Sequence, residues 1–211
     1  MQSNALPYLL AAAAFVCGSI PFGFIAGRLK GIDLREHGSG NIGATNTLRV
    51  LGKGPGAAVL LLDAAKGLLP VVVARNCGLT SAWTVGVGMC AVLGHIYSPF
   101  VRFRGGKGVA TALGVLLALS PLIALLSLVV FAVAVALTRW VALGSILAAI
   151  AQAILFWVLP PSFLSGDPLP YRLFGFVVAL FVVVRHRSNI TRMRAGTESR
   201  IGNKPVTSPP P

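Results

Sequence analysis

Long apolar runs separated by short, polar and mostly basic stretches set the pattern of this chain. The runs are Ala5–Ala26, Pro55–Ala74, Ser81–Phe100, Val109–Leu137, Val141–Leu159 and Tyr171–Val184. A membrane-crossing helix needs roughly 20 such residues. No basic region precedes the first run, which is long enough to span, so it reads as a retained helix and not a cleavable leader. The fourth run carries no charge and has Ser120-Pro121 near its middle. As a single helix it would measure roughly 43 Å, against a hydrocarbon core of about 30 Å. One tilted helix fits that run, and so do two shorter legs turning at the Ser-Pro step.

Charge placement decides between them. Arg28, Lys30, Arg35, Arg49 and Lys53 lie after the first run, Arg102, Arg104 and Lys107 after the third, and six Lys or Arg between Arg185 and Lys204 after the last. Basic loops stay on the cytoplasmic side. Two legs over Val109–Leu137 keep all three groups on one side; a single crossing would put the basic tail outside. The expectation is an all-α integral membrane protein of seven spanning or partly spanning helices, N-terminus outside and C-terminus cytoplasmic. Pro160–Pro170 becomes an external loop, and residues 203–211 a disordered Pro-rich tail.

Composition agrees. Hydrophobic residues make up 55% and charged residues 11%, against roughly 25% charged in soluble domains. Eighteen Lys and Arg against five acids give +13, which on so apolar a chain points to membrane lipids and anionic substrates. Nucleic acid is not an expected partner, because no basic module interleaved with aromatics is present. Cys17, Cys77 and Cys90 show no C-x-x-C spacing and read as small core residues.

Candidate chemistry gathers in three polar patches. In His37–Arg49 the glycines let backbone amides approach an anion, and Ser39, Asn41, Thr45 and Asn46 add neutral donors beside Arg49. Its Gly38-x-Gly40-x-x-Gly43 matches a dinucleotide fingerprint only formally, since no strand or βαβ unit surrounds it. In the second patch Gly105-Gly-Lys-Gly108 opens a helix, whose N-terminal amides attract phosphate, with Lys107 as point charge and Arg102 or Arg104 as flanking cations. It is not a Walker A loop, because Gly108 replaces the required Ser or Thr. In the third, Arg185–Glu198, most arginines read as topological anchors, while His186, Asn189 and Glu198 do not serve anchoring. His95 reads as a structural histidine. Asp63 and Lys66 share one face of the second run, with mutual pairing the first reading and substrate contact the second. Metal-ligand spacings, a G-x-S-x-G elbow and the His-x4-Asp acyltransferase arrangement are missing from the sequence. An enzyme of this kind works without metal or cofactor, on a substrate that arrives activated.

In this order between apolar runs, the motifs resemble those of the bacterial membrane acyl-phosphate:glycerol-3-phosphate acyltransferases, the PlsY type. The matching residues are Gly18-Ser-Ile-Pro-Phe-Gly23, Gly38–Asn46 with Arg49, Asp63-Ala-Ala-Lys-Gly67, Gly94–Ser98, Phe103–Thr111, and Arg185–Ile190 with Gly196-x-Glu198. They span nearly all of residues 1–202, which the resemblance makes a single polytopic acyltransferase domain. It implies acyl transfer from acyl phosphate to the 1-hydroxyl of glycerol-3-phosphate at the cytoplasmic (inner) membrane, giving lysophosphatidic acid and phosphate. Lys107 and the backbone of Gly105, Gly106 and Gly108 would then hold acyl phosphate. Ser39, Asn41, Thr45, Asn46 and Arg49, with His186, Asn189 and Glu198, would serve glycerol-3-phosphate and the developing oxyanion. Ser39, Lys107, His186 and Asn189 are the catalytic candidates, and either His186 or a substrate phosphate takes the proton. The rival is a small transporter or lipid-handling protein binding a phosphorylated anion, but the inverted repeats that would favour it are not visible.

Overall fold

Without water to satisfy backbone N–H and C=O groups, apolar runs in a bilayer must close their hydrogen bonds internally. The computed structural model describes residues 5–164 and 166–202, and these are helical with no strand among them. The helices are α1 (Leu6–Ser19), α2 (Phe22–Leu29), α3 (Ala44–Leu51), α4 (Lys53–Asn76), α5 (Ser81–Ile96), α6 (Val109–Leu119), α7 (Pro121–Thr138), α8 (Val141–Val158), α9 (Leu169–Arg185) and α10 (Arg187–Arg194). Counting α1 with α2, five spans are long and apolar enough to cross a membrane. The α9–α10 pair, bent by 55°, makes a sixth, and α6 is apolar but shorter. The expected tail, residues 203–211, lies outside the described residues.

Three sequence expectations are refined. The first run is not one uninterrupted helix: Pro21 has no N–H to give, so α1 stops at Ser19 and α2 restarts at Phe22. Carbonyls freed at such a break need other donors in a membrane. Lys66 Nζ donates to Ile20 O at 2.7 Å, and Ser98 Oγ to Ser19 O at 2.5 Å. The first and third polar patches are not loops throughout, because they contain the short helices α3 and α10. The three cysteines are half-buried, and Cys90 packs against the core cluster of Ala14, Ala74, Val87 and Ala91.

The fourth run does go and return. Ser120, in extended conformation, separates α6 from α7. At the start of α6, Lys107 meets Asn189, and at the end of α7 the Arg139 backbone and guanidinium bond to Ile201. Both ends of the pair therefore lie against the segment after α9. At the turn between the legs, Arg75 Nη1 caps Ala118 O at 2.7 Å.

Small residues set how closely the helices cross. A methyl on Gly18 would stand 2.1 Å from Ala91 O, and one on Gly94 2.2 Å from Phe15 O, so α1 and α5 touch backbone to backbone. Gly67 faces Thr111 O at 2.1 Å and Gly114 faces Ala64 O at 1.9 Å in the same way between α4 and α6. In lipid, where apolar burial no longer drives association, such approach supplies the dispersion contact that does. Large side chains such as Leu61, Val129, Leu137 and Phe176 point outward, as a lipid-facing surface requires. The buried core joins Val71, Val92, Val115, Ile123, Phe156 and Phe174 from α4 to α9.

Substituting Gly114→Ala should cost about 1–3 kcal/mol through this overpacking. It should lower the thermal midpoint of the monodisperse, detergent-solubilised protein. Gly86→Ala, where a methyl meets open space, should stay within about 0.5 kcal/mol of the parent. Equal midpoints for the two variants would contradict the close α4–α6 crossing.

Candidate active site

The loop joining α5 to α6 folds back on its own helix. Arg102 and Phe103 adopt positive φ of 54° and 59°, which turns the chain so that Gly105 N–H donates to Ile96 O at 3.1 Å and Gly106 N–H to His95 O at 3.2 Å. This corrects the expected phosphate cradle: the amides of Gly105 and Gly106 cap α5 and are not free for an anion. These glycines are small because a methyl at Gly105 would meet His95 O at 2.0 Å, and one at Gly106 the His95 Nε2 at 2.1 Å. Gly108, at φ 82°, turns the chain into α6, whose first intrahelical bond runs from Ala112 N–H to Gly108 O. The amides of the first turn of α6 and the Lys107 ammonium are what this loop offers to an anion.

The segment after α9 holds that loop in place. Arg185 Nη2 donates to both Gly105 O and Gly106 O at 3.0 Å. Lys107 Nζ donates to Asn189 Oδ1. Asn189 Nδ2 donates to Glu198 Oε1 at 2.8 Å, and Arg192 Nε to Glu198 Oε2 at 2.8 Å. Asn189 thus orients Lys107 and keeps one N–H for a ligand. Glu198, expected to bind substrate, lines the cavity and aligns Asn189 and Arg192 with one bond to each of its oxygens. His186 is buried at the α9–α10 bend with Nδ1 2.8 Å from Val182 O. A carbonyl only accepts, so Nδ1 carries the proton and the neutral ring presents Nε2 as an acceptor.

In the first patch, Asn46 on α3 is buried. Its Oδ1 accepts from Ser39 N–H at 2.9 Å, and its Nδ2 donates to Leu34 O at 3.1 Å and His37 O at 3.0 Å. Both Asn46 donors thus shape the loop, while the residue still lines the cavity. Asn41 Oδ1 accepts from Gly43 N–H, leaving its NH₂ free, while Ser39, Thr45 and half-buried Arg49 face the same cavity.

That cavity, about 260 Å³, gathers Ser39, Asn41, Thr45, Arg49, Lys107, Gly108, His186 and Asn189 at one end and runs between α6, α7, α8 and α9 at the other. Asp63 and His95 also line it. The pairing reading holds for Asp63 and Lys66, 2.8 Å apart, with His95 Nδ1 3.6 Å from the same carboxylate oxygen. Burial draws the Lys107 ammonium down to about 8; Glu198 pulls it back up, while Arg192, Arg185 and Arg49 push it further down. Burial likewise lowers the Arg49 guanidinium, which stays cationic at any working pH. Arg102 and Arg104 are exposed and do not line the cavity. The cations the sequence reading missed are Arg185 and Arg192, since arginines just past a last helix carry the same signal as anchors.

Fold and site define a polytopic helical membrane protein with a cation-lined chamber opening into an apolar trough. The profile of the glycerol-3-phosphate acyltransferases matches residues 8–196. A glycerol-3-phosphate acyltransferase of Geobacter sulfurreducens is 49% identical over 194 residues, covering 91% of this chain and 96% of that protein. One from Synechococcus elongatus is 46% identical over 208 residues, covering 94% and 96%. The crystal structure of PlsY (YgiH), an integral membrane glycerol 3-phosphate acyltransferase, in its glycerol 3-phosphate form matches with TM-score 0.87 at 41% identity, covering 93% of this chain and 96% of that one. Its lysophosphatidic acid form matches with TM-score 0.82. The chain belongs to the glycerol-3-phosphate acyltransferase family, PlsY type.

Lys107→Ala should lower turnover roughly ten- to a hundredfold, the size of a lost charge-assisted contact. The exposed Arg102→Ala should change it by no more than about fivefold. Lys107 is charged below about 8 and loses its proton above, so kcat/KM should fall as pH rises past that value. In Lys107→Arg that alkaline limb should vanish, because arginine stays protonated. A limb unchanged in the arginine variant would assign it to another group.

Proposed function

We propose that this protein transfers a fatty acyl group from acyl phosphate to the 1-hydroxyl of glycerol-3-phosphate, releasing lysophosphatidic acid and phosphate, the first acylation of phospholipid synthesis. The observation that carries the reading is one continuous cavity, cationic at its polar end and apolar between α6 and α9. Two phosphorylated substrates, one with a lipid tail, need both ends. Lys107 and the first turn of α6 receive the acyl phosphate. Arg49, Ser39, Asn41 and Thr45 hold glycerol-3-phosphate, with His186 Nε2 accepting a hydrogen bond from its 1-hydroxyl.

The hydroxyl oxygen attacks the acyl carbonyl carbon, the C–O bond to phosphate breaks, and the hydroxyl proton leaves through His186 or directly to the departing phosphate. The mixed anhydride is already activated, so no acyl-enzyme, metal or cofactor is required. The polar donors work by orientation and by stabilising the oxyanion. Seven spanning or partly spanning helices, with the N-terminus outside and the site on the cytoplasmic face of the bacterial inner membrane, complete the reading. The positive-inside charge pattern and the return of α7 to the basic segment after α9 support it. Residues 1–202 form the single domain that carries the activity.

With purified protein, phosphate release from palmitoyl phosphate should depend on glycerol-3-phosphate and need neither added metal nor thiol. Acyl-CoA should be a poor donor. Gly106→Ala should lose activity about as severely as Lys107→Ala, because the methyl displaces the His95 ring and with it the loop. Full turnover with acyl-CoA alone, or a trapped acyl-enzyme, would overturn the donor assignment.

A further inference from the structure

The apolar branch of the cavity is lined by Leu113 and Leu116 of α6, Leu128 and Phe131 of α7, Ala149 of α8 and Val178 of α9. Three polar side chains interrupt it. Two are neutralised locally: Ser127 Oγ donates to Ile123 O at 2.7 Å and Ser145 Oγ to Val141 O at 2.9 Å. The third is different. Gln152 is 3% exposed and lines the cavity, yet its amide makes no hydrogen bond among the described residues. Its amide atoms are not among the sealed, unpartnered ones, so the carboxamide opens onto the cavity, where water can reach it until something apolar fills the trough.

Its position along α8 sets where that happens. The face Val141, Ala142, Ser145, Ala149 and Gln152 runs along the cavity, and no residue of α8 beyond Gln152 reaches it. At 1.5 Å per residue Gln152 stands about 16 Å from the start of α8, about halfway through a hydrocarbon core of about 30 Å. The cavity-lining residues of α6 and α9 end no deeper, at Leu116 and Val178. On α7 the farthest lining residue is Ser127, also polar.

We propose that Gln152 is the length stop of the acyl-chain trough, selecting donors whose terminal methyl ends before the carboxamide. This rests on the acyl-phosphate reading above. Methylenes short of Gln152 exchange water for aliphatic contact and gain affinity. A methylene that reaches it strips the amide of hydration and returns no hydrogen bond, so longer chains lose what the shorter ones gained. Gln152 acts on specificity and touches none of the reacting atoms.

The test compares wild type, Gln152→Leu and Gln152→Ala with lauroyl, myristoyl, palmitoyl, stearoyl and arachidoyl phosphates in the same mixed micelles, reading kcat/KM for each donor. Leucine keeps the volume and removes the amide; alanine also opens space. Wild type should rise with chain length and then fall. In both variants the fall should move to longer chains, changing the ratio of the first disfavoured donor to the favoured one by about tenfold. The KM for glycerol-3-phosphate should stay at its wild-type value, which verifies an intact polar site. A leucine variant with the wild-type length profile, or a wild type without a fall, would overturn the length stop and leave the donor reading standing. A wild type that turns over acyl-CoA but none of the acyl phosphates would instead overturn the donor reading itself.

Discussion

The site depends on one tie across the bundle: the hold that the segment after α9 takes on the loop before α6. Arg185 grips the carbonyls of Gly105 and Gly106, and about one turn of chain later Asn189 receives the Lys107 ammonium. These contacts join residues about eighty positions apart in sequence. They place a lysine that would otherwise swing freely in water at the mouth of a buried cavity. The same segment carries His186, so the cation and the ring acceptor are fixed relative to each other by a single helix bend.

The bundle around this tie is shaped by the solvent it lives in. In lipid the cost of an unpaired backbone group is high, and the chain answers it at each irregularity with a long polar side chain. Lys66 and Ser98 serve the Pro21 break, and Arg75 serves the end of α6. The Asp63–Lys66 pair is therefore architectural: the lysine is neutralised by its partner on α4 while its remaining protons hold the α1–α2 kink. Glycines facing backbone oxygens at the α1–α5 and α4–α6 crossings then set the spacing of those helix pairs.

Electrostatically the site is unbalanced by design of its neighbours. Arg49, Lys107, Arg185 and Arg192 converge where Glu198 supplies a single carboxylate. That carboxylate accepts from Asn189 and Arg192, which aims the amide that holds Lys107 and one of the guanidinium groups. Excess positive charge in a partly desolvated chamber draws in phosphate. The adjoining apolar trough distinguishes a lipid substrate from a soluble one.

The membrane class, the helical runs, the break at Ser120-Pro121 and the three polar patches were legible in the chain itself. Each is a local property: apolar length, missing charge, a proline without an N–H. Lys107 and His186, which line the cavity, stood out as well, because a lysine between glycines and a histidine past a span have few anchoring explanations. The roles inside the patches were decided only by the tertiary fold. The bonds by which Asn46 shapes its loop and Glu198 aligns its neighbours have no local signal, and the glycines of residues 105–106 look like an amide cradle until α5 takes their N–H groups. Arg185 looks like an anchor until it closes on that loop. Hydrogen-bonding capacity is finite, and which groups have any left for a substrate is settled by contacts between residues far apart in sequence. Residue type and spacing cannot report that.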